Sequence, residues 1–211
     1  MSVFLDMLLH LDTYLLSFIN SYGVWAYLAL FLIIFCETGF VVTPFLPGDS
    51  LLFAAGSIAG LNTTSIKILP LFILLFLASI LGNQVNYFIG RFLGPKVFSA
   101  KNSWFFNKKH LDEAHSFYQK HGGKTIILAR FLPILRTFAP FVAGIGAMNI
   151  STFSFYNLIS ALLWVGSLLG AGYFLGSIPW VKDNFTLVIY VIVALSLLPG
   201  IFVFGYKRLA A

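Results

Sequence analysis

Charged side chains are scarce in this sequence. There are 13 Lys and Arg and 7 Asp and Glu among 211 residues, so charge makes up only 9% of the chain. An average soluble domain carries about 25% charged residues. Hydrophobic residues make up 59%, and 24 residues are Phe. The shortage of charge therefore excludes an ordinary soluble domain and indicates a protein whose surface faces lipid.

Cysteine and N-terminal cations are also nearly absent. Cys36 is the only cysteine, which excludes an intramolecular disulfide, and we interpret it as an apolar filler. Residues 1–11 contain Asp6 but neither Lys nor Arg, and no small-residue cleavage motif closes an apolar stretch. We therefore expect no cleavable signal peptide.

Catalytic motifs are missing as well. Gly123-Lys124-Thr125 resembles the end of a P-loop, but Tyr118 stands where that motif needs its first glycine. The sequence has no His-Glu-x-x-His and no Gly-x-Ser-x-Gly. We therefore predict a protein that is not an enzyme and uses no metal and no cofactor. An intramembrane lipid phosphatase of unfamiliar type is the remaining enzyme alternative.

Long uncharged runs divide the chain. Residues 68–90 and 184–206 hold no charged side chain, and each run fits the roughly 20 residues of a spanning helix. The uncharged stretch 137–181 is too long for one helix, which places a span in 148–180 after an irregular segment. Prolines and glycines interrupt the apolar stretches at 43–49 and 133–146, where a straight helix cannot continue. The fold class predicted is an all-α, polytopic membrane protein.

The two interrupted regions resemble each other. Phe45-Leu46-Pro47 recurs as Phe131-Leu132-Pro133, and Tyr87-Phe88-Ile89-Gly90 recurs as Tyr173-Phe174-Leu175-Gly176. Both pairs are 86 positions apart (131 − 45 and 173 − 87). We interpret this spacing as a divergent duplication of a broken re-entrant hairpin followed by a span. Two such copies of opposite orientation form an inverted repeat, whose broken segments line a substrate site in many transporters.

The resulting organisation is a single membrane domain over 1–211. Its parts are an interfacial helix at 3–20, broken hairpin 1 at 24–66, a span at 68–90, a basic cytoplasmic loop with an amphipathic helix at 91–124, broken hairpin 2 at 125–147, and spans at 148–180 and 184–206. The loop holds seven Lys or Arg against two acidic residues, which predicts that it is cytoplasmic. Lys96, Lys101, Lys108 and Lys109 in this loop are expected to contact anionic lipids. The side of the N-terminus stays open.

Four charges fall in or beside the interrupted regions: Glu37, Asp49, Arg130 and Arg136. A charge at the centre of a bilayer costs about 2.5 to 3.5 kcal/mol on insertion scales, so those that remain are paired or used. A buried acid can load and release a proton, and an arginine offers a planar fork to phosphate oxygens. The four charges therefore suit a coupled proton and phosphate site. The alternative is that the acids only form salt bridges with the arginines.

Several motifs, spread over nearly the whole chain, are similar to those of the DedA family and of its DedA branch in particular. These are Phe35-Cys36-Glu37-Thr38-Gly39, Pro44-Phe45-Leu46-Pro47-Gly48-Asp49-Ser50, Asn86-Tyr87-Phe88-Ile89-Gly90-Arg91, His121-Gly122-Gly123-Lys124-Thr125 and Arg130-Phe131-Leu132-Pro133-Ile134-Leu135-Arg136. The family shares the VTT (SNARE-associated) domain. Their combination is specific, whereas any one of them alone would be weak.

The resemblance implies a multi-pass protein of the bacterial inner membrane that depends on the proton motive force. Several members translocate undecaprenyl phosphate, so an anionic lipid or polyprenyl phosphate and protons are the expected partners, with no nucleic acid. On this basis Glu37 and Asp49 match the family's essential acids, and Arg130 and Arg136 its essential arginines. A proton-coupled exporter of small cations or drugs and a structural envelope-integrity factor are the alternative functions. A homo-oligomer is one option for the assembly.

Two further residues are secondary candidates for substrate contact. Arg91 ends an apolar run, where an arginine commonly extends to the membrane interface. Asn83 stands where many relatives have Asp after Gly, which puts any coupling role of that position in doubt for this chain. Together with Gln84 and Asn86, it is expected either to line a cavity or to bridge helices.

Overall fold

The computed structural model describes residues 11–40, 48–61, 66–99 and 122–192, and no strand occurs among them. The helices are α1 (Leu11–Tyr22), α2 (Trp25–Gly39), α3 (Gly48–Ala59), α4 (Ile68–Ser99), α5 (Lys124–Arg130), α6 (Pro133–Ile145), α7 (Ile150–Leu175) and α8 (Pro179–Asp183). Residues 185–192 are also helical. The all-α fold class agrees with the prediction from the sequence.

Two helices are long and apolar enough to cross a membrane, namely Ile68–Leu93 within α4 and Ile150–Leu175, which is α7. Both helices bury some polar side chains and expose large apolar ones. On α4, Ser79, Asn83 and Asn86 are buried, whereas Leu81 and Phe88 are exposed. Apolar side chains in this arrangement would be unfavourable in water but suit contact with lipid. The pattern fits residence in a membrane.

The chain breaks between α5 and α6. Helix α5 ends at Arg130, residues 131 and 132 form a turn, and Pro133 opens α6. Proline is favoured at this first helical position, because its missing N–H would have no intrahelical partner there. In the first interrupted region, α2 ends at Gly39 and α3 begins at Gly48. The break that proline predicts in the second region is therefore present, between α5 and α6.

Parts of the predicted organisation lie outside the described residues: 3–10 of the interfacial helix, 41–47 of the first broken segment, 100–121 of the basic loop, which holds its amphipathic helix, and 193–206 of the last span. The charge pattern predicts that the span ends at residue 90, but helix α4 continues to Ser99. A helix ends where its backbone hydrogen bonding ends, which need not coincide with the end of its apolar stretch.

The chain divides into two compact units. Unit 1 comprises Met1–Ile34, Phe45–Ala78 and Leu163–Ala211. Within it, α3 lies against the last part of α7, with so little space that a Cβ added to Gly56 would overlap the carbonyl of Leu169. A Cβ on Gly172 would likewise overlap the carbonyl of Phe53. Small residues at such a contact let two helix backbones approach closely, as in many membrane proteins.

Unit 2 comprises Phe35–Pro44 and Ser79–Leu162. Two close backbone contacts fix its helices on α4. A Cβ on Gly82 would overlap the side chain of Thr38, so the end of α2 lies directly on α4. A Cβ on Gly144 would overlap the carbonyl of Tyr87, so α6 also lies on α4. These contacts bring together the helix segments that carry Glu37 and Arg136.

Candidate functional site

Glu37 and Arg136 form an ion pair in the interior of unit 2. Nη2 of Arg136 donates to Oε1 of Glu37, and the two residues are 99 positions apart in the sequence. The side chains are 7% exposed for Arg136 and 0% for Glu37. Because both groups are withdrawn from solvent, each charge needs the other to offset its desolvation. The predicted alternative of a salt bridge therefore describes this pair.

Asn86 holds the two helices that supply this ion pair. Its Nδ2 donates to the carbonyl of Thr38 at 3.1 Å and to the carbonyl of Thr137 at 2.7 Å. Thr38 follows Glu37 and Thr137 follows Arg136, so one buried amide on α4 binds the backbone beside both charged residues. Of the two roles expected for this asparagine, the structure shows bridging of helices.

Arg130, the last residue of α5, is also buried but has a different set of partners. Nη1 donates to Oδ1 of Asn157 at 3.1 Å and to Oγ of Ser160 at 3.0 Å. Nη2 donates to the carbonyl of Ser79 at 3.3 Å and to the Ser79 hydroxyl. These four acceptors are neutral oxygens, which accept hydrogen bonds from Nη1 and Nη2 without carrying a counter-charge of their own.

Asn157 is held in one orientation by its neighbours. Its Nδ2 donates to the carbonyl of Ile80 at 3.1 Å, and its Oδ1 accepts from Nδ2 of Asn83 at 3.0 Å as well as from Arg130. Asn83 is 3% exposed and thus belongs to the same interior network. The structure shows that Asn83 joins α4 to α7.

The two arginines belong to one electrostatic group. Arg136 and Glu37 both interact with the charge of Arg130, Arg136 repelling it and Glu37 attracting it. We call Glu37, Ser79, Asn83, Arg130, Arg136, Asn157 and Ser160 the buried polar cluster. Two guanidinium groups and one carboxylate give this cluster a net charge of +1. A buried site of that charge can accept an oxyanion, for which arginine offers paired N–H donors.

Asp49 belongs to unit 1, near the start of α3. Its Oδ1 accepts a hydrogen bond of 2.8 Å from Nε1 of Trp164 on α7. Trp164 is 1% exposed. An indole N–H can only donate, so it suits a carboxylate as acceptor. Asp49 is therefore oriented by a buried aromatic side chain of its own unit.

Arg91 lies eight residues beyond Asn83 on α4, about 12 Å along the helix at 1.5 Å per residue. The residue is exposed. Its Nη1 donates to the hydroxyl of Tyr87 at 2.6 Å and to the carbonyl of Met148 at 3.2 Å. Arg91 is therefore a cation at the end of the apolar part of α4, well separated from Asn83.

Of the residues singled out in the sequence, the structure brings Glu37, Asn83, Arg130 and Arg136 into one cluster, and it places Asp49 in unit 1. Sequence reasoning missed Ser79, Asn157 and Ser160, which bind Arg130, and Trp164, which binds Asp49. A signal for one of them existed, because Asn157 stands inside the long uncharged run 137–181. A buried amide in a lipid-facing helix usually has a polar partner.

The chain has relatives among known proteins. The VTT domain family matches residues 46–174. Over 208 residues the chain is 55% identical to Protein DedA of Escherichia coli strain K12, covering 98% of this chain and 95% of that protein. It is 43% identical over 173 residues to an uncharacterized membrane protein of Mycobacterium leprae, covering 82% and 77%. It is 36% identical over 158 residues to Inner membrane protein YqjA of Escherichia coli strain K12, covering 72% and 69%. No solved structure matches the chain.

Proposed function

Because the chain belongs to the DedA family of VTT-domain membrane proteins, we propose that it transports an anionic lipid phosphate across the bacterial inner membrane. The substrate class that fits best is undecaprenyl phosphate or a related phospholipid, moved at the expense of the proton motive force. In this proposal the protein crosses the membrane several times, and the two interrupted helix pairs are re-entrant hairpins of an inverted repeat. It acts as a transporter and not as an enzyme.

The observation that carries this proposal is the buried polar cluster with its net positive charge. Burial of a guanidinium is costly in an apolar interior, and a second one beside it adds repulsion. Arg130 is nevertheless held by neutral acceptors, Ser79, Asn157 and Ser160. An anionic headgroup that enters the cluster would offset the excess charge. A small cation would meet two guanidinium groups there, which disfavours the cation exporter.

Glu37 gives the cluster a means of proton coupling. In the structure Glu37 accepts a hydrogen bond from Arg136, so one side of the Arg136 guanidinium is already occupied. Protonation of Glu37 would remove its negative charge and release Arg136 to a phosphate. Loss of the proton would restore the ion pair and favour release of the substrate. Asp49, bound to Trp164 in unit 1, is the second proton-exchanging acid in this proposal.

One observation favours the structural alternative for part of the cluster. The Glu37 and Arg136 side chains are paired and join α2 to α6, so this pair could serve only to hold the helices together. Arg130 distinguishes the two functions, because the structural alternative uses only its hydrogen bonds to Ser79, Asn157 and Ser160, whereas phosphate recognition uses its charge and its planar fork. The decisive measurements therefore concern Arg130 and Asn157.

The test is leaflet-resolved transport of undecaprenyl phosphate in proteoliposomes, compared with phosphatidylethanolamine. Arg130→Lys keeps the charge but loses the planar fork, and it should weaken binding roughly tenfold to a hundredfold. Asn157→Asp keeps the shape and adds a carboxylate beside Arg130, so binding should be lost. It also removes the Nδ2 donor to the Ile80 carbonyl, so the melting temperature of this variant is measured beside that of wild type. Lys124→Gln, which removes an exposed cation of the same unit, is the matched control.

Unchanged lipid-phosphate binding in Arg130→Lys and Asn157→Asp, with normal stability, would reject phosphate recognition by the cluster. Equal transport of both lipids by the wild type would reject the preference for a headgroup of net negative charge. Release of inorganic phosphate by the purified protein would favour the lipid phosphatase instead.

A further inference from the structure

An open, shallow groove runs along the C-terminal half of α4. Its volume is about 740 Å³, and its lining includes Val85, Phe88, Ile89, Arg91, Phe92 and Leu93. Ligand-binding clefts commonly measure about 300 to 1,000 Å³, so the groove is large enough for part of a lipid. Arg91 is the charged residue among these six, and the other five are apolar.

The guanidinium of Arg91 is anchored from one side. Nη1 donates to the Tyr87 hydroxyl at 2.6 Å and to the Met148 carbonyl at 3.2 Å. The Tyr87 hydroxyl in turn donates to the same carbonyl at 2.5 Å, and Tyr87 is fully buried. A cation that simply reaches for water needs no such anchor. The contacts fix the head of Arg91 in one orientation.

The anchoring leaves a particular edge of the guanidinium available. Within the described ranges, neither Nε nor Nη2 of Arg91 makes a hydrogen bond or ion pair. These two nitrogens form one side of the planar fork that binds two phosphate oxygens at once. Since Arg91 also lines the groove, a phosphate bound on this edge can have its hydrocarbon chain in the groove.

The position of Arg91 along α4 suits contact with a lipid headgroup. Ile68–Leu93 is the part of α4 that is apolar enough to span a membrane, and Arg91 lies two residues before its end. This places Arg91 near one boundary of the hydrocarbon region, where headgroup phosphates lie. Phe88 and Phe92, one helical turn apart within the same apolar stretch, are 47% and 66% exposed.

We propose that Arg91 and this groove form a binding site for one membrane phospholipid with a net negative headgroup. The phosphate binds the Nε and Nη2 edge of Arg91, and an acyl chain packs on Phe88 and Phe92. The site is separate from the buried polar cluster and does not depend on the proposed transport function. Its occupant is a membrane lipid that stays bound, and phosphatidylglycerol is the probe that represents it.

The test is a titration of the purified full-length protein in detergent, followed by native mass spectrometry. Phosphatidylglycerol is compared with phosphatidylcholine of the same acyl chains, and with inorganic phosphate. Wild type should prefer phosphatidylglycerol. Arg91→Gln should weaken phosphatidylglycerol binding roughly tenfold, because two charge-assisted hydrogen bonds are lost. Lys124→Gln should bind as wild type does. Lys124 is an exposed cation of the same unit, but it is not one of the residues named above as lining the groove.

A second pair of variants tests the apolar part of the site independently of the arginine. Phe92→Ala removes an exposed ring from the groove and should weaken both phospholipids with little effect on folding. Phe174→Ala removes a ring on α7 that is 74% exposed and should leave both affinities unchanged. This arm keeps the proposal testable if Arg91→Gln fails to fold.

Three results would overturn the proposal. The first is phosphatidylglycerol binding by Arg91→Gln that equals that of wild type. The second is an equal loss in Lys124→Gln, which would mean general attraction to positive charge. The third is Arg91-dependent binding of inorganic phosphate with Phe92→Ala indistinguishable from wild type, which would mean a site for free phosphate without an acyl chain.

Discussion

The buried ion pair of Glu37 and Arg136 predicts a specific pattern of stabilities in a double-mutant cycle. Glu37→Gln and Arg136→Gln each remove one charge and keep a polar side chain, and the double variant removes both. The two side chains are 0% and 7% exposed, so either single change leaves a buried charge without its counterion. Both residues also make further contacts, which is why a cycle is needed to isolate the pair.

Removing one partner of a buried ion pair costs about 3 to 5 kcal/mol. A chain of this length loses roughly 2 to 4 °C of melting temperature per kcal/mol. Each single variant should therefore melt roughly 6 to 20 °C below wild type. The double variant should lose less than the sum of the singles, by roughly 0.5 to 3 kcal/mol, because neither member of the pair is then left without its counterion.

The assay is thermal unfolding of the four purified proteins in one detergent, followed by circular dichroism. Lys124→Gln is the control, since exposed substitutions usually change the free energy of unfolding by no more than about 0.5 kcal/mol. If the single variants melt like this control, or if the double variant loses the full sum, then Glu37 and Arg136 do not stabilise each other and the pairing is wrong.

Two further predictions concern topology and coupling. The topology test places single cysteines in a Cys36→Ala background. Cysteines at Lys101 and Ala211 should be shielded from an impermeant thiol reagent in intact spheroplasts, and one at Asp183 should be labelled, because the basic loop is expected in the cytoplasm. Labelling of Lys101→Cys from outside would contradict the inverted repeat. Glu37→Gln and Asp49→Asn should stay in the membrane but lose the dependence of transport on a pH gradient, because each removes a titratable group. Gradient-driven transport by both would show that neither acid carries the coupled proton.

The sequence predicts the parts of this fold that depend on composition and on proline. Helix α4 covers the uncharged run 68–90, and α7 lies within the predicted span 148–180, since a span excludes charge over roughly 20 residues. Pro133 predicts that Arg130 and Arg136 fall on different helices, and α5 and α6 do separate at that point. Such features are local, so they can be recognised from the sequence without knowledge of tertiary contacts.

The partners of the charges could not be predicted in the same way. Ser79 is 51 positions from Arg130, and Trp164 is 115 positions from Asp49. Serine and tryptophan also occur in apolar helices for other reasons, so their presence in a span predicts no particular contact. Which acid pairs with which arginine depends on helix packing, here on glycines such as Gly82 that permit close approach.

The unlike partners of the two arginines suggest how one cluster can be both stable and receptive to an anion. An arginine paired with a carboxylate, as Arg136 is with Glu37, contributes little net field until the acid is protonated. An arginine held by amide and hydroxyl oxygens keeps its positive charge, because these groups offer dipoles that satisfy its N–H donors without neutralising it. Asn157 is suited to that role, since its bond to the Ile80 carbonyl fixes which end of the amide faces Arg130. Replacing this acceptor with a carboxylate would add a counter-charge beside Arg130 and would remove the amide's bond to the Ile80 carbonyl, which is why we expect Asn157→Asp to weaken binding of an anionic headgroup.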